Sequence, residues 1–432
     1  MEERWSTEHV LSLAPDAASQ KAAGKLSSPA PWSGTGTDGT ALWGECRGSG
    51  RTPYRTVVEL ATPAYQCSCP SRKFPCKHAL GLLLLWSGAP EAVPAGRPAD
   101  WADEWLRARQ ERAEKRASAP VDPEAARRRA EKRGARVAAG AAELRLRLAD
   151  RIRHGLADQS TAGPWEEVAA RMVDAQASGL ATRVRELDTL PEDRLLEEYA
   201  LLHLLATAAT RVDELPPDLA ATVRARVGYT VDAAEVLAGP TVRDRWLVLG
   251  SRDTSDERLT TRRVWLRGAK TGRLALLLAF GRPGQAPDLA LPTGHLLEAE
   301  LAYHPGARPL RAALGTRYGA PGPGPATPPA GLTVAEAVAG YGTAVADDPW
   351  LDSWPTVLAG VVPVRTPAGW HLTDGHHTVP VRPSAVPEAA LWRLAAVSTG
   401  RPLTVFGEYG HQGFAPVTAW TAEHRPVGLT SV

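Results

Sequence analysis

Cys67-Ser68-Cys69-Pro70-Ser71-Arg72-Lys73-Phe74-Pro75-Cys76-Lys77-His78 is the stretch on which the reading of this chain turns. It sets three thiols and one imidazole in two pairs, Cys-x-Cys and Cys-x-His, with six residues between them. Alternate residues of an extended strand point the same way, so Cys67 and Cys69 can face one centre. Cys76 and His78 fall where the apolar run 79–86 begins a helix, and the N-terminal end of a helix favours thiolate charge. Pro70 and Pro75 stiffen the loop between the pairs and lower the entropy lost on closing it. Three cysteines with one histidine are a common tetrahedral set for structural zinc, and four protein ligands leave no open position for water or substrate. The segment predicts one structural Zn2+ on Cys67, Cys69, Cys76 and His78. Such a metal contributes on the order of 10–16 kcal/mol to folding, more than a core this small gives alone. The competing reading, three core cysteines and a surface histidine, does not account for four ligand-type residues within twelve positions.

Working outward, residues 41–46 and 55–60 read as two strands around a turn at 47–53, and 33–39 as a Gly/Thr-rich loop. Residues 15–26 read as a short helix with Pro15 and Asp16 in its first turn. A linker is expected at 90–98. Beyond it, 101–228 is rich in Ala, Arg, Leu and Glu and reads as helices, with stops at Pro120, Pro123, Pro164, Pro191 and Pro216 and a core helix at 195–206. From Asp244 the period changes to that of strands, at 246–249, 263–267, 274–280 and 295–303, with a polar hairpin loop at 252–260. Residues 315–331, dense in Gly and Pro, mark a second linker. Strand candidates at 357–364 and 371–382, a helix at 388–397, and strands at 403–409 and 413–420 follow in an order that suits a small OB-like barrel. No internal repeat is visible. The fold class is α+β and multi-domain: a zinc-stapled β-hairpin/helix module at 1–89 (finger core 54–88), a helical region at 100–240, a β-rich domain at 241–314 and a small barrel-like β domain at 332–432.

The bulk numbers fit that reading. The chain has 432 residues, 44% hydrophobic and 23% charged, as in proteins that bury ordinary cores. Its formal net charge of +2 is too small to argue for nucleic acid. The longest apolar run, 79–86, falls far short of the ~20 residues of a membrane span. No basic, then apolar, leader opens the sequence, so a cytoplasmic protein with reduced thiols is expected, where clustered cysteines favour metal over disulfide.

The CxC…CxH arrangement resembles the SWIM zinc-finger family. The matching residues are Cys67-Ser68-Cys69-Pro70-Ser71 and Cys76-Lys77-His78-Ala79. Trp43-Gly44-Glu45-Cys46 with Pro53-Tyr54-Arg55 is similar to the hairpin that leads into the finger in bacterial members. The segments 244–250, 263–268 and 309–312 are similar to those of bacterial, mainly actinobacterial, SWIM-containing proteins. The resemblance implies zinc at the four residues and a role in binding protein or DNA. Relatives of this kind are often encoded near an AAA+ ATPase and a von Willebrand factor A-type protein, which implies an adaptor to an ATPase-containing assembly.

Other candidates carry less. Cys46 reads as a small buried strand residue, with an approach to the zinc cluster as the competing reading. Residues 107–136 hold eleven Lys or Arg against five acids. They read as a solvated helical face or linker, or, in the competing reading, as a phosphate-contacting arm. His371, His376 and His377 flank the turn Asp374-Gly375 and read as an exposed hairpin tip rather than a metal site. Trp101 and Trp105 share a helix face, and most of the tryptophans from Trp246 to Trp420 are expected in cores. No GxxxxGK[ST] loop, HExxH or GxSxG elbow is present. The sequence reads as a non-enzymatic interaction protein without a small-molecule substrate. Its partner is expected to be a protein. Single-stranded nucleic acid or DNA is the alternative, and an enzyme with a site in the β half the remaining one.

Overall fold

The computed structural model describes residues 5, 7–14, 17–48, 50, 52–60, 64–71, 73, 75–117, 123–155, 165–256, 259–281, 287, 289–382 and 385–429, except 72 and 74 within the finger loop. The expected helix start at Pro15–Asp16 and the stops at Pro120 and Pro164 lie outside the described residues.

Two short helices, α1 (Thr7–Ser12) and α2 (Ala17–Gly24), open the fold. A four-stranded antiparallel meander follows: β1 (Trp32–Thr37), β2 (Ala41–Cys46), β3 (Tyr54–Glu59) and β4 (Ala64–Cys67). Strand alternation divides its residues between two faces. Leu42 and Val58, paired across β2 and β3, join the core around α3 (Lys77–Gly88). Trp43 and Val57, the next pair, turn the other way and meet Ala102 of α4 (Asp100–Ala117). The sheet is thus covered by a helix on each side, and α4 reaches across the 90–98 segment to do it. Strand β1 replaces the loop expected at 33–39. Its signal was lost to a bulge between Ser33 and Gly36 and to Gly34 at φ +57°.

The helical region contains α5 (Pro123–His154), α6 (Trp165–Asp174), α7 (Ser178–Glu186), α8 (Glu192–Thr210) and α9 (Pro217–Val227). Val137, Ala141, Leu144 and Leu148 form one stripe of α5 and meet Leu195, Tyr199, Leu202, Leu205 and Ala206 of α8 in a single core. Trp350, from far along the chain, completes that core and donates its indole N–H to the Leu201 carbonyl at 3.0 Å. Beside it the Arg226 guanidinium donates to both oxygens of the buried Asp348 carboxylate, at 3.1 and 2.6 Å.

After the short α10 (Ala233–Leu237) come β5 (Thr241–Ser255), β6 (Thr260–Gly268), β7 (Leu274–Gly281), β8 (Leu296–Tyr303) and β9 (Ala312–Arg317), in sheet order β7-β6-β5-β8-β9. The last part has α11 (Val334–Asp347), β10 (Ser353–Thr366), β11 (Gly369–Thr373), β12 (Thr378–Pro380), α12 (Glu388–Ser398), β13 (Leu403–Gly410), β14 (Gly413–Trp420) and β15 (Pro426–Gly428), in order β12-β11-β10-β13-β14-β15. The sequence showed no repeat, yet the two units share one plan. A long first strand pairs with the second and the fourth. The third strand meets the fifth through a single parallel bridge, Leu276 to Arg311 in one unit and Val381 to Phe414 in the other. Neither sheet is a closed barrel. In the C-terminal unit β12 is only three residues long, and its link to β14 is that one bridge just past Pro380, where the Arg382 amide donates to the Phe414 carbonyl at 2.9 Å. The Gly/Pro-rich segment 315–331 begins in β9 and is pinned by an antiparallel bridge from Gly322 to Leu296.

The two units press face to face. Leu247, Leu249 and Trp265 of the first meet Val357, Phe406, Val417 and Trp420 of the second. The packing is tight at Gly250, where a Cβ would lie 2.6 Å from Thr418 Oγ1 and 2.7 Å from Val417 Cγ1. No described helix is long and apolar enough to cross a membrane.

Two predictions follow from this architecture. Gly250→Val must part the two sheets and is expected to cost about 1–3 kcal/mol, read as a lower midpoint in chemical denaturation. The second concerns Asp244, buried under the β6–β7 turn. Its carboxylate accepts from the amides of Arg245, Lys270 and Thr271 and from the Thr271 hydroxyl, at 2.7 to 3.1 Å. Burial opposes its charge, but the bonds from Thr271, Lys270 and Arg245 outweigh burial and hold it below the usual carboxylate range. A depressed pKa stabilises the fold above the unfolded-state value near 4, and that contribution is lost as pH falls through the folded value. Asp244→Ala is expected to lose about 2–3 kcal/mol at neutral pH. Its acid unfolding curve should also be shallower than the parent's.

Candidate metal centre

The strand alternation that buries Leu42 and Val58 under α3 also turns Tyr54 and Thr56 of β3 toward it. Thr56 is the register partner of Cys67 at the end of β4. The Thr56 hydroxyl donates to Cys67 Sγ at 3.2 Å, and Cys67 Sγ lies 3.6 Å from His78 Nδ1. Cys69 sits in the bend just past β4, so the first pair straddles the strand end. Cys76 is the N-cap of α3, and its sulfur accepts the Ala79 amide at 3.5 Å. His78 is in the first turn, its ring 4.8 Å from that of Tyr54 and tilted by 36°. The ligand atoms of Cys67, Cys69, Cys76 and His78 all lie within 4.8 Å of one another.

These distances fit a metal. Zinc–sulfur bonds of about 2.3 Å in a tetrahedron place sulfurs roughly 3.8 Å apart. Cys76 and His78 are buried, while Cys67 and Cys69 are half-buried. Without metal the cluster holds protons that zinc must displace. Hydrogen bonds from Cys67 and Cys76 hold the Cys69 thiol far below its usual range. Those between Cys76 and its two neighbours, with burial, push Cys76 far above it. Burial favours a neutral His78, but its bonds to Cys67 and Cys69 outweigh that and raise it to about 9. The residues fit one structural Zn2+, which would replace the shared protons and fix all three sulfurs as thiolates. All four ligand positions are protein atoms, so the metal's chemistry here is structural.

The arrangement defines a Cys3His zinc-finger protein. The family comparisons carry this further: residues 54–86 match the SWIM zinc finger, and residues 132–227 match the SWIM-associated four-helix bundle domain. The chain therefore carries a SWIM zinc finger followed by its associated bundle. No curated protein and no solved structure matches the chain.

The other sequence candidates do not converge on this site. Cys46 is buried in β2 outside the four-ligand group, its thiol pushed up to about 11 by burial first and then by the nearby Cys67 charge. Among the described residues no further group of three or more metal-ligand side chains occurs, so His371, His376 and His377 form no second centre. Asp374 explains their turn. It accepts the amides of His376 and His377 and, across the unit, that of Val334 at the start of α11, which holds its carboxyl down to about 2. Much of the basic segment is committed internally. Arg109 pairs with Glu59, Arg127 with Glu131, Arg128 with Glu124, and Arg133 donates to the Gly228 carbonyl over the Tyr229 ring. Trp246, Trp265, Trp350 and Trp420 are core, whereas Trp392 is 49% exposed. The roles of Thr56 and Tyr54 as supports of Cys67 and His78 are not legible in the sequence, because they depend on strand register.

Purified protein is expected to carry one zinc per chain by elemental analysis. Cys69→Ala should lose the metal, and Cys46→Ala should keep it. Affinity should fall as pH is lowered, because protons compete for the thiolates and the ring. Stripping the metal with a chelator should lower module stability on the order of 10 kcal/mol, seen as loss of the first thermal transition.

Proposed function

We propose that this is a non-enzymatic interaction protein that presents the surface of its zinc-stapled finger to a protein partner. One observation carries the reading: α3, the helix the metal caps, is buried from His78 to Trp86 between the β1–β4 sheet and the helices before it. DNA-reading fingers insert such a helix into the major groove. Here, between His78 and Trp86, that helix has no free face, which leaves its exposed first residue Lys77, the loops around the metal and the exposed residues Arg47, Arg55 and Lys73 for recognition. An adaptor role toward an ATPase-containing assembly is the particular form of this reading. It rests on the resemblance alone.

The shared strand order of the two β units supports a second reading. Long first strand, meander, then two further strands with the fifth beside the third is the order of an OB-fold, and OB-folds bind single strands. The outer face of β11 and β12 opposes it. Its residues His371, Thr373, Thr378 and Pro380 offer only one ring on which a base could stack.

Co-purification from the native cell, with the captured chain then made pure and rebound, tests the leading reading. Binding should be lost with Cys69→Ala and kept with Cys46→Ala. A retardation assay with single- and double-stranded probes over a salt series tests the other. A shift at low salt that fades steeply as salt rises would favour nucleic acid, and its absence removes that reading.

A further inference from the structure

A cavity of about 610 Å3 opens between the helical bundle and the C-terminal β unit, away from the zinc site. Helices α7 and α8 give one wall. The β13–β14 turn, the residue before β10 and the residue after the Val381 bridge give the other. Its charges are unevenly spent. Arg194 bonds Glu198 at 2.6 Å and donates to His411 Nε2 at 2.9 Å, so both Arg194 and that ring nitrogen are engaged. Arg183 reaches Asp352 only at 3.9 Å. The Arg382 backbone bonds Phe414 and Ala385, but its guanidinium has no hydrogen bond or ion pair with any described residue, and its Nε is buried without a partner.

The surroundings of Arg382 add to the imbalance. Arg252, beneath it in the seam between the two β units, donates to the Pro416 carbonyl and lies 3.7 Å from Glu408. Burial first, and then the charges of Arg382 and Arg263 against Glu408, depress the Arg252 pKa. Arg252 thus feels two further guanidinium groups, Arg382 and Arg263, against the single carboxylate of Glu408. The acids of the rim are solvent-facing: Asp352, only loosely paired with Arg183, is 73% exposed, and Glu186 is exposed as well. A long polyanion would have to cross those acids, whereas a small oxyanion passes them and meets the cations behind.

We propose that this cavity binds a small ligand through a phosphate or carboxylate group held by Arg382, with Arg183 and Gln412 beside it. A planar guanidinium with unspent N–H groups matches both oxyanions in a two-point hydrogen-bonded pair. The remaining cavity floor, Leu187, Leu190 and Leu202, suits a short apolar body. This proposal is independent of the finger's role.

The test uses the zinc-loaded full chain in calorimetric titrations at constant ionic strength, set with chloride. Inorganic phosphate is the probe in one arm and succinate in the other. Saturable binding of one equivalent in either arm is expected, and the arm that responds assigns the head group. Arg382→Gln should weaken that binding roughly tenfold or more, while Arg128→Gln, on the exposed face of α5, should leave it unchanged. Circular dichroism checks that the variant folds; if Arg382→Gln does not, Arg183→Gln takes its place with the same expected direction. The proposal is overturned if neither anion binds beyond the matched chloride control. It is equally overturned if a folded cavity variant binds as tightly as the parent.

Discussion

Four ligand atoms within a few ångströms of one another constrain the front of this molecule more than any apolar contact does. To meet, Cys67 must end a strand, Cys69 must turn back, and Cys76 must cap a helix whose second residue is His78. Each demand fixes a piece of backbone. The strand end sets the β3–β4 register through Thr56, and that register decides that Val58 rather than Val57 faces α3. The helix so positioned then supplies Leu80 and Leu82 through Trp86 to the module core. The metal site and the hydrophobic core are one construction, because the capped helix is buried from His78 to Trp86.

The rest of the chain is built around two docking events between distant segments. Trp350 enters the bundle core, backed by the pair of Arg226 and Asp348, and Leu247, Leu249 and Trp265 lock the first β unit against the second. Partly buried ionic contacts of this kind add orientation more than stability. The apolar seam beside them supplies the favourable burial. Bundle and β units therefore meet along surfaces that are specific as well as apolar, and the cavity around Arg382 lies where the bundle wall and the last unit fail to fill the space between them.

Much of this was legible in the residues. The finger ligands could be read from type and spacing, because metal geometry demands particular side chains at particular intervals. Strands such as β2, β13 and β14 were found nearly to the residue through their apolar patterning and flanking turns. Other elements were hidden for physical reasons. Strand β1 carries glycines where its bulge passes the Trp43 ring. Helix α11 lies among Ala, Gly and Val residues that give little polar contrast, although its Thr333–Glu336 capping box is plain in the structure. Strand β9 was absorbed into a Gly/Pro-rich stretch. The doubled β plan left no trace in the sequence because the same strand order is held by different side chains. The barrel closure expected from that order comes down to a single bridge in each unit.

The position of Trp350 has a consequence for synthesis. The bundle helices end at Val227, but the indole that fills the middle of their core leaves the ribosome only after the whole first β unit has been made. Until then the nascent bundle has a vacant slot lined by apolar side chains, open to whatever is nearby. Completion of the helical domain thus waits on the far half of the polypeptide, and the order in which the chain emerges places folding of the interior behind that of the domain that follows it.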